Sequence, residues 1–140
     1  MSLSLTVDHL GDSQFEIRAR NHTIICDQPL DNGGYDEGMT PPELMLASLG
    51  SCAGYYAAEY LRRHKLSGSG TQVRIVAEKA KNPARIGEFL IDVHVPAELD
   101  EKHREGITAA IRKCIIHNTL THPPTISLQI NSMPLAEKVA

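Results

Sequence analysis

The stretch that decides the fold is residues 40–70, TPPELMLASLGSCAGYYAAEYLRRHKLSGSG. It begins as a helix, because Thr40 can cap a first turn that contains two prolines, and Glu43 follows three residues after the cap. From residue 44 to 58 the segment is apolar nearly all round, which predicts a buried helix. Basic residues and a Ser-Gly repeat at 67–70 then end it. We therefore predict one helix of roughly 25 residues, close to 40 Å long.

A buried helix of that length is difficult to cover within one small domain. The chain has 140 residues and a mass of 15.4 kDa, which predicts a single domain spanning residues 1–140. The predicted helix is longer than the roughly 30 Å diameter of such a domain. We infer from its length that the protein forms a dimer.

The segments on both sides of this helix alternate at the period of β-strands. Three short strands are predicted before residue 28, followed by a long Gly-rich loop at 28–39. A β-hairpin is predicted at 73–95, then an amphipathic helix from Asp100 to about Asn118, and a last strand at 125–131. The predicted order is β-β-β-α-β-β-α-β, an α+β fold.

Composition excludes several classes of protein. Fourteen basic against 17 acidic residues give a net charge of −3, so the chain lacks the basic excess that nucleic-acid binding needs. The N-terminus has no pattern of a signal peptide, and the most apolar run, 44–58, is too short to span a bilayer. We expect a soluble cytoplasmic protein with no membrane contact. Neither a phosphate-binding glycine motif nor a GxSxG motif occurs.

Three cysteines are the candidates for chemistry. Cys52 lies in the long helix between small residues, as either a small buried hydrophobic residue or a reactive thiol. A mid-helix thiolate would need a cation from elsewhere in the fold. Cys114 is predicted on the apolar face of the second helix, where it could meet Cys52 and form a redox pair. Cys26 ends a strand and is interpreted as structural.

A metal site is an alternative interpretation of Cys114 and the histidines that follow it. Cys114, His117 and His122 lie close together in the sequence, and zinc requires three or four such ligands. No second ligand pair of the CxxC type and no HExxH motif accompanies them, so we expect no metal.

Two segments carry a specific family resemblance. Residues 27–52, DQPLDNGGYDEGMTPPELMLASLGSC, and residues 114–120, CIIHNTL, closely resemble the OsmC/Ohr family in its general OsmC-like branch. The order of elements matches along essentially the whole chain. The resemblance implies an intertwined homodimer with the two long helices at its centre.

The resemblance also implies an activity. Family members with established activity are thiol-dependent peroxidases that favour organic hydroperoxides. On that pattern Cys52 is the thiolate that attacks the peroxide, and Cys114 condenses with it to a disulfide. An external dithiol, a lipoylated protein in the Ohr branch, then reduces both, and no cofactor is implied. The alternative is a non-catalytic dimer of the same fold that binds a small apolar ligand or senses redox state.

The family further uses a glutamate that orients an arginine beside the thiolate. Glu43, nine positions before Cys52, matches the glutamate of the general branch. In the Ohr branch the acidic residue falls one position earlier, where this chain has Pro42. Arg20 is the first choice for the arginine and Arg18, on the same strand face, is the second. Each of the two is equally well explained as an ordinary surface charge.

Overall fold

The computed structural model describes residues 1–132, and it begins with a three-stranded antiparallel sheet. Its strands are β1 (Thr6–Gly11), β2 (Gln14–Ala19) and β3 (His22–Cys26), in the order β1-β2-β3. The turns between them are tight enough to put Asp12 and Arg20 at positive φ. These strands confirm the prediction for the N-terminal segment.

The Gly-rich loop after β3 folds back on that strand. It contains a short 3-10 helix, Leu30–Asn32, and returns so that the Asp27 N–H donates to the Met39 carbonyl at 3.2 Å. A Cβ at Gly34 would lie 1.9 Å from the Gln28 carbonyl oxygen, so only glycine fits this close approach of two backbones. These contacts hold the loop against β3 and so fix the position at which the next helix begins.

The long helix α1 spans Pro41–Arg63 and begins with the predicted capping box. Its buried residues recur every four positions, which places one stripe of the helix against the rest of the chain: Leu49, Ala53, Ala57 and Leu61. On another face of the same helix the Tyr55 side chain is 65% exposed. Within one chain, α1 is therefore buried along one side only.

The second half of the chain packs on that buried stripe. The hairpin β4 (Gln72–Ala80) and β5 (Arg85–His94) confirms the predicted hairpin, and α2 (Glu101–Ile111) and α3 (Ile115–Thr121) follow it. The most buried cluster joins α1 to α2 through Ala57, Leu61 and Ile107. The main packing partners of α1 are α2, β4, α3 and β5, and the three-stranded sheet is not among them.

The structure differs from the sequence prediction in two places. The helix predicted from Asp100 to about Asn118 is broken, because residues 112–114 leave the helical path between α2 and α3. Residues 125–131 alternate as a strand but form none, and Ile126, Leu128 and Ile130 are 83–87% exposed. A strand needs a neighbouring edge to supply hydrogen bonds, and within residues 1–132 no edge pairs with this segment.

The α+β fold class predicted from the sequence is confirmed, with five strands in two sheets and three α-helices among the described residues. None of the helices in residues 1–132 combines the length and the apolar content needed to cross a membrane.

Candidate active site

A disulfide between Cys52 and Cys114 joins the middle of α1 to the junction of α2 and α3. The two Cα atoms are 6.2 Å apart, within the usual range for a disulfide. The Cys114 side is buried, with only 1% of the residue exposed, whereas Cys52 remains partly accessible. The structure therefore brings together the two cysteines that the sequence paired, and presents one of them to solvent.

The helix break is what positions Cys114. The prediction that Cys114 lies on the apolar stripe of one continuous helix is wrong, because it is the N-cap of α3 with φ −59° and ψ 132°. Its N–H donates to the Ile111 carbonyl at 3.0 Å, and its carbonyl accepts from the Asn118 N–H at 3.0 Å. The backbone thus ends one helix and starts the next around the cysteine, and the sulfur is directed at α1.

Glu43 is engaged at the N-terminus of α1. Its Oε1 accepts hydrogen bonds from the Thr40 hydroxyl at 2.7 Å and from the Thr40 N–H at 3.1 Å. These two bonds, that of the hydroxyl first, hold the pKa of the Glu43 carboxyl below its usual value. Glu43 is exposed and borders a groove between α1 and β4 that also contains Gly50 and Val73. Its carboxylate is therefore ionised and accessible, while one oxygen caps the helix.

Glu43 and Cys52 do not face each other within one chain. Nine residues correspond to about two and a half helical turns, which places the two side chains on opposite sides of α1 and about 13 Å apart along its axis. Cys52 faces Cys114, and Glu43 faces the groove beside β4.

The two candidate arginines lie on the three-stranded sheet. The Arg18 guanidinium pairs with Asp8 at 2.5 Å and with Glu16 at 3.5 Å, on the exposed side of the sheet. Arg20 occupies the turn between β2 and β3 and is exposed. Because this sheet is not a main packing partner of α1 in its own chain, neither arginine is brought to Cys52 there.

Asp27 is a buried residue for which the sequence predicted no role beyond its place in the motif of residues 27–52. Its carboxylate is fully buried and accepts five hydrogen bonds, from the side chains of Ser13 and Gln14 and from the backbone N–H groups of Gln28, Tyr35 and Glu37. Burial raises the pKa of this carboxyl, but the hydrogen bonds outweigh burial and hold it well below its usual range. The sequence signal was an acidic residue placed directly after the apolar end of β3 and before a Gly-rich loop.

The remaining sequence candidates take no part in this arrangement. Cys26 is buried and has a free thiol, as its structural interpretation predicts. The sulfur that a metal site would need from Cys114 is bonded to Cys52. Within residues 1–132, no three His, Cys, Asp or Glu side chains are grouped so that they could hold a metal ion.

Comparison with known proteins places this arrangement in a family. The family model described as OsmC-like protein matches residues 34–129, which is more than half of the chain and includes both bonded cysteines. No curated protein matches the chain.

Solved structures share the fold over most of their length. A protein from Psychrobacter arcticus 273-4, described in terms of an osmotic stress induced and detoxification response, is 26% identical, with a TM-score of 0.76 over 85% of this chain and 88% of that one. An OsmC-like protein from Mycoplasma pneumoniae is 19% identical, with a TM-score of 0.72 over 88% and 89%. An organic hydroperoxide resistance protein OsmC from Legionella pneumophila is 15% identical, with a TM-score of 0.59 over 86% and 89%. Together with the family match, these likenesses lead to one conclusion: the chain belongs to the OsmC-like protein family.

Proposed function

We propose that this protein is a thiol-dependent peroxidase that reduces organic hydroperoxides through Cys52 and Cys114. The observation that carries the proposal is the disulfide between a partly accessible cysteine in α1 and a buried one at the α2–α3 junction. An attacking thiolate must meet its substrate, whereas a resolving thiol only has to reach the first sulfur. Two structural relatives, from Legionella pneumophila and Elizabethkingia anophelis, are named organic hydroperoxide resistance proteins.

The proposed cycle balances with a dithiol as the source of electrons. The Cys52 thiolate attacks the terminal oxygen of ROOH, so that an S–O bond forms, the O–O bond breaks, and RO⁻ takes a proton to leave as the alcohol. The product is a sulfenic acid on Cys52. The Cys114 sulfur attacks the Cys52 sulfur, the S–O bond breaks, the proton of the Cys114 thiol leaves with the hydroxyl group as water, and the disulfide forms. An external dithiol, of which a lipoylated protein is one source, reduces the disulfide by exchange and is itself oxidised.

The test is dithiol-dependent consumption of cumene hydroperoxide by the purified protein. Cys52→Ser is expected to abolish turnover, because the other thiol of the site, Cys114, is buried and does not meet the peroxide. Cys26→Ser is the matched control, since it also removes one thiol, and it should retain turnover. Unchanged turnover in Cys52→Ser would refute the proposal. A wild-type protein with no turnover would favour the alternative of a redox-sensing or ligand-binding dimer.

We also propose that the active form is an intertwined homodimer with α1 at its centre. One side of α1 is uncovered in the single chain, and the three-stranded sheet does not pack mainly on α1. The strand-like segment 125–131 also has no partner edge among the described residues. Tyr55→Glu tests this directly, because Tyr55 is 65% exposed in one chain. Sedimentation velocity should show the wild type as a dimer and the variant as a monomer. A monomeric wild type would overturn the proposal.

Glu43 and one arginine, Arg20 or Arg18, are proposed as the pair that stabilises the Cys52 thiolate. A guanidinium close to the sulfur would lower its pKa, and a carboxylate would hold the guanidinium in place. Glu43→Gln should therefore slow the reaction with peroxide and raise the pH at which the thiolate forms. Thr40→Ala is the matched control, because it breaks the same cap but keeps the carboxylate. Equal effects of both variants would mean that Glu43 acts only as a cap.

The arginine is identified by the same pH profile. Arg20→Gln and Arg18→Gln are compared, and the residue that acts on Cys52 is the one whose loss raises the apparent thiol pKa. If neither substitution shifts the profile, both arginines are surface charges.

A further inference from the structure

A second cavity lies between β5 and α2, and neither Cys52 nor Cys114 lines it. Its volume is about 320 Å³, at the lower end of the range for small-molecule sites. Its floor is made only of aliphatic side chains from β5, α2 and the loop between them: Ile91, Val93, Val95, Leu99, Ile107 and Ile111. A ligand of this cavity must therefore present an apolar body of moderate size.

The rim of the same cavity is polar and positively charged. Arg104, Thr108 and Arg112 follow each other at intervals of four residues, so they stand on successive turns along one side of α2 and its C-cap. His117 of α3 also borders the cavity. The cavity wall that residues 1–132 form contains no acidic side chain.

Neither guanidinium group forms an ion pair within residues 1–132. Glu101 and Glu105 line a neighbouring groove together with Arg104 and Arg112, but neither carboxylate lies within ion-pair distance of either arginine. By contrast, Arg62 and Arg63 on α1 both pair with Glu59. Two free guanidiniums beside an aliphatic floor favour a ligand that carries an anion at one end.

We propose that this cavity binds an amphiphilic carboxylate, with its aliphatic chain on the floor and its headgroup on Arg104 and Arg112. A guanidinium matches a carboxylate with two parallel hydrogen bonds. A highly charged anion such as a nucleotide would place polar groups against six aliphatic side chains without compensation. An uncharged lipid would leave both guanidiniums unused. This site does not depend on the peroxidase chemistry proposed above.

The test uses dodecanoate at submicellar concentration, with dodecanol and acetate as probes that carry only the chain or only the headgroup. Isothermal titration calorimetry of the full-length protein should show one dodecanoate site per chain, with dodecanol and acetate each about tenfold weaker or more. Arg104→Gln combined with Arg112→Gln should weaken dodecanoate by a similar factor and leave dodecanol unchanged. Arg74→Gln, on the exposed side of β4, is the matched control and should bind dodecanoate as the wild type does.

Location and independence are tested on the same samples. Methyl signals of Val93 and Ile107 should shift on titration with dodecanoate, and binding should persist in the Cys52→Ser/Cys114→Ser protein. The proposal is overturned if dodecanoate does not bind, as would happen if a second copy of the chain closed the cavity. It is also overturned if the double arginine variant binds as the wild type does, or if only methyl groups outside the cavity shift.

Discussion

Reduction of the Cys52–Cys114 disulfide should lower the stability of the protein by an amount that its position predicts. The bond closes a loop between residues 62 positions apart. The chain-entropy relation gives about 4 kcal/mol at 25 °C for a loop of this length, because the cross-link restricts the unfolded chain. With an m-value of about 2 kcal/mol/M, that difference moves the urea midpoint by roughly 2 M.

The assay is urea unfolding followed by far-ultraviolet circular dichroism, with and without dithiothreitol, at one protein concentration. The concentration is fixed because unfolding of a dimer depends on it. The wild type should lose about 2 M of its midpoint on reduction, and Cys26→Ser should show the same response. Cys52→Ser/Cys114→Ser should not respond to the dithiol at all. Coincident wild-type midpoints with and without dithiol would refute this prediction, and so would a double variant that responds as the wild type does.

Three further substitutions test the cap of α1, the buried carboxylate of Asp27 and the packing of α2 on α1. Thr40→Ala removes the N-cap oxygen of α1 and should cost about 1 kcal/mol in urea unfolding; no loss would show that the cap is dispensable. The pKa of Asp27 is lower in the folded state than in the unfolded state. The ionised carboxylate therefore stabilises the fold above the unfolded-state pKa of about 3.9, and this stabilisation is lost as the pH falls below that pKa. Asp27→Asn should therefore lower Tm at pH 7 and flatten the fall of Tm as the pH drops below about 4, whereas the exposed Asp31→Asn should do neither. Gly106→Ala should gain about 1 kcal/mol in helix propensity, but its Cβ would lie 2.3 Å from the Tyr60 hydroxyl oxygen. Overpacking costs about 1–3 kcal/mol, so the free energy of unfolding should fall. The gain should appear only in a Tyr60→Ala background.

The elements that sequence analysis predicted well are those whose signals are local. The capping box of α1 needs only Thr40 and Glu43, three residues apart, and the structure contains it as predicted. The strands β2, β4 and β5 show apolar–polar alternation within their own sequence, and turn residues such as Asp12, Asn21 and Asn82 separate the strands. Periodicity of this kind is set by the backbone geometry of each element, so it can be predicted before any tertiary contact is known.

The errors occur where a distant contact overrides the local pattern. Periodicity through Ile107, Ile111 and Cys114 favours a continuous helix, yet the chain breaks at residues 112–114 and turns the Cys114 sulfur toward α1. The role of Asp27 was missed for the same reason. Its five hydrogen-bond donors come from β2, from the turn that precedes β2 and from the loop that follows Asp27. No window of sequence around Asp27 shows that those donors converge.

The spacing of Glu43 and Cys52 bears on the quaternary structure of the active form. A guanidinium that hydrogen-bonds both groups must bring the carboxylate and the sulfur within about 3 Å of its own nitrogen atoms. On one α1 helix the two side chains face opposite sides and are about 13 Å apart along the axis, so one arginine cannot contact both. If Glu43 and an arginine serve the thiolate, they therefore serve the thiolate of the second copy, and the uncovered side of α1 is where the two copies meet. Mixing Glu43→Gln protein with Cys52→Ser protein tests this, because a heterodimer would retain one site in which both residues are intact. Turnover above the average of the two separate variants is the expected result, and a mixture whose turnover equals that average would refute a shared site.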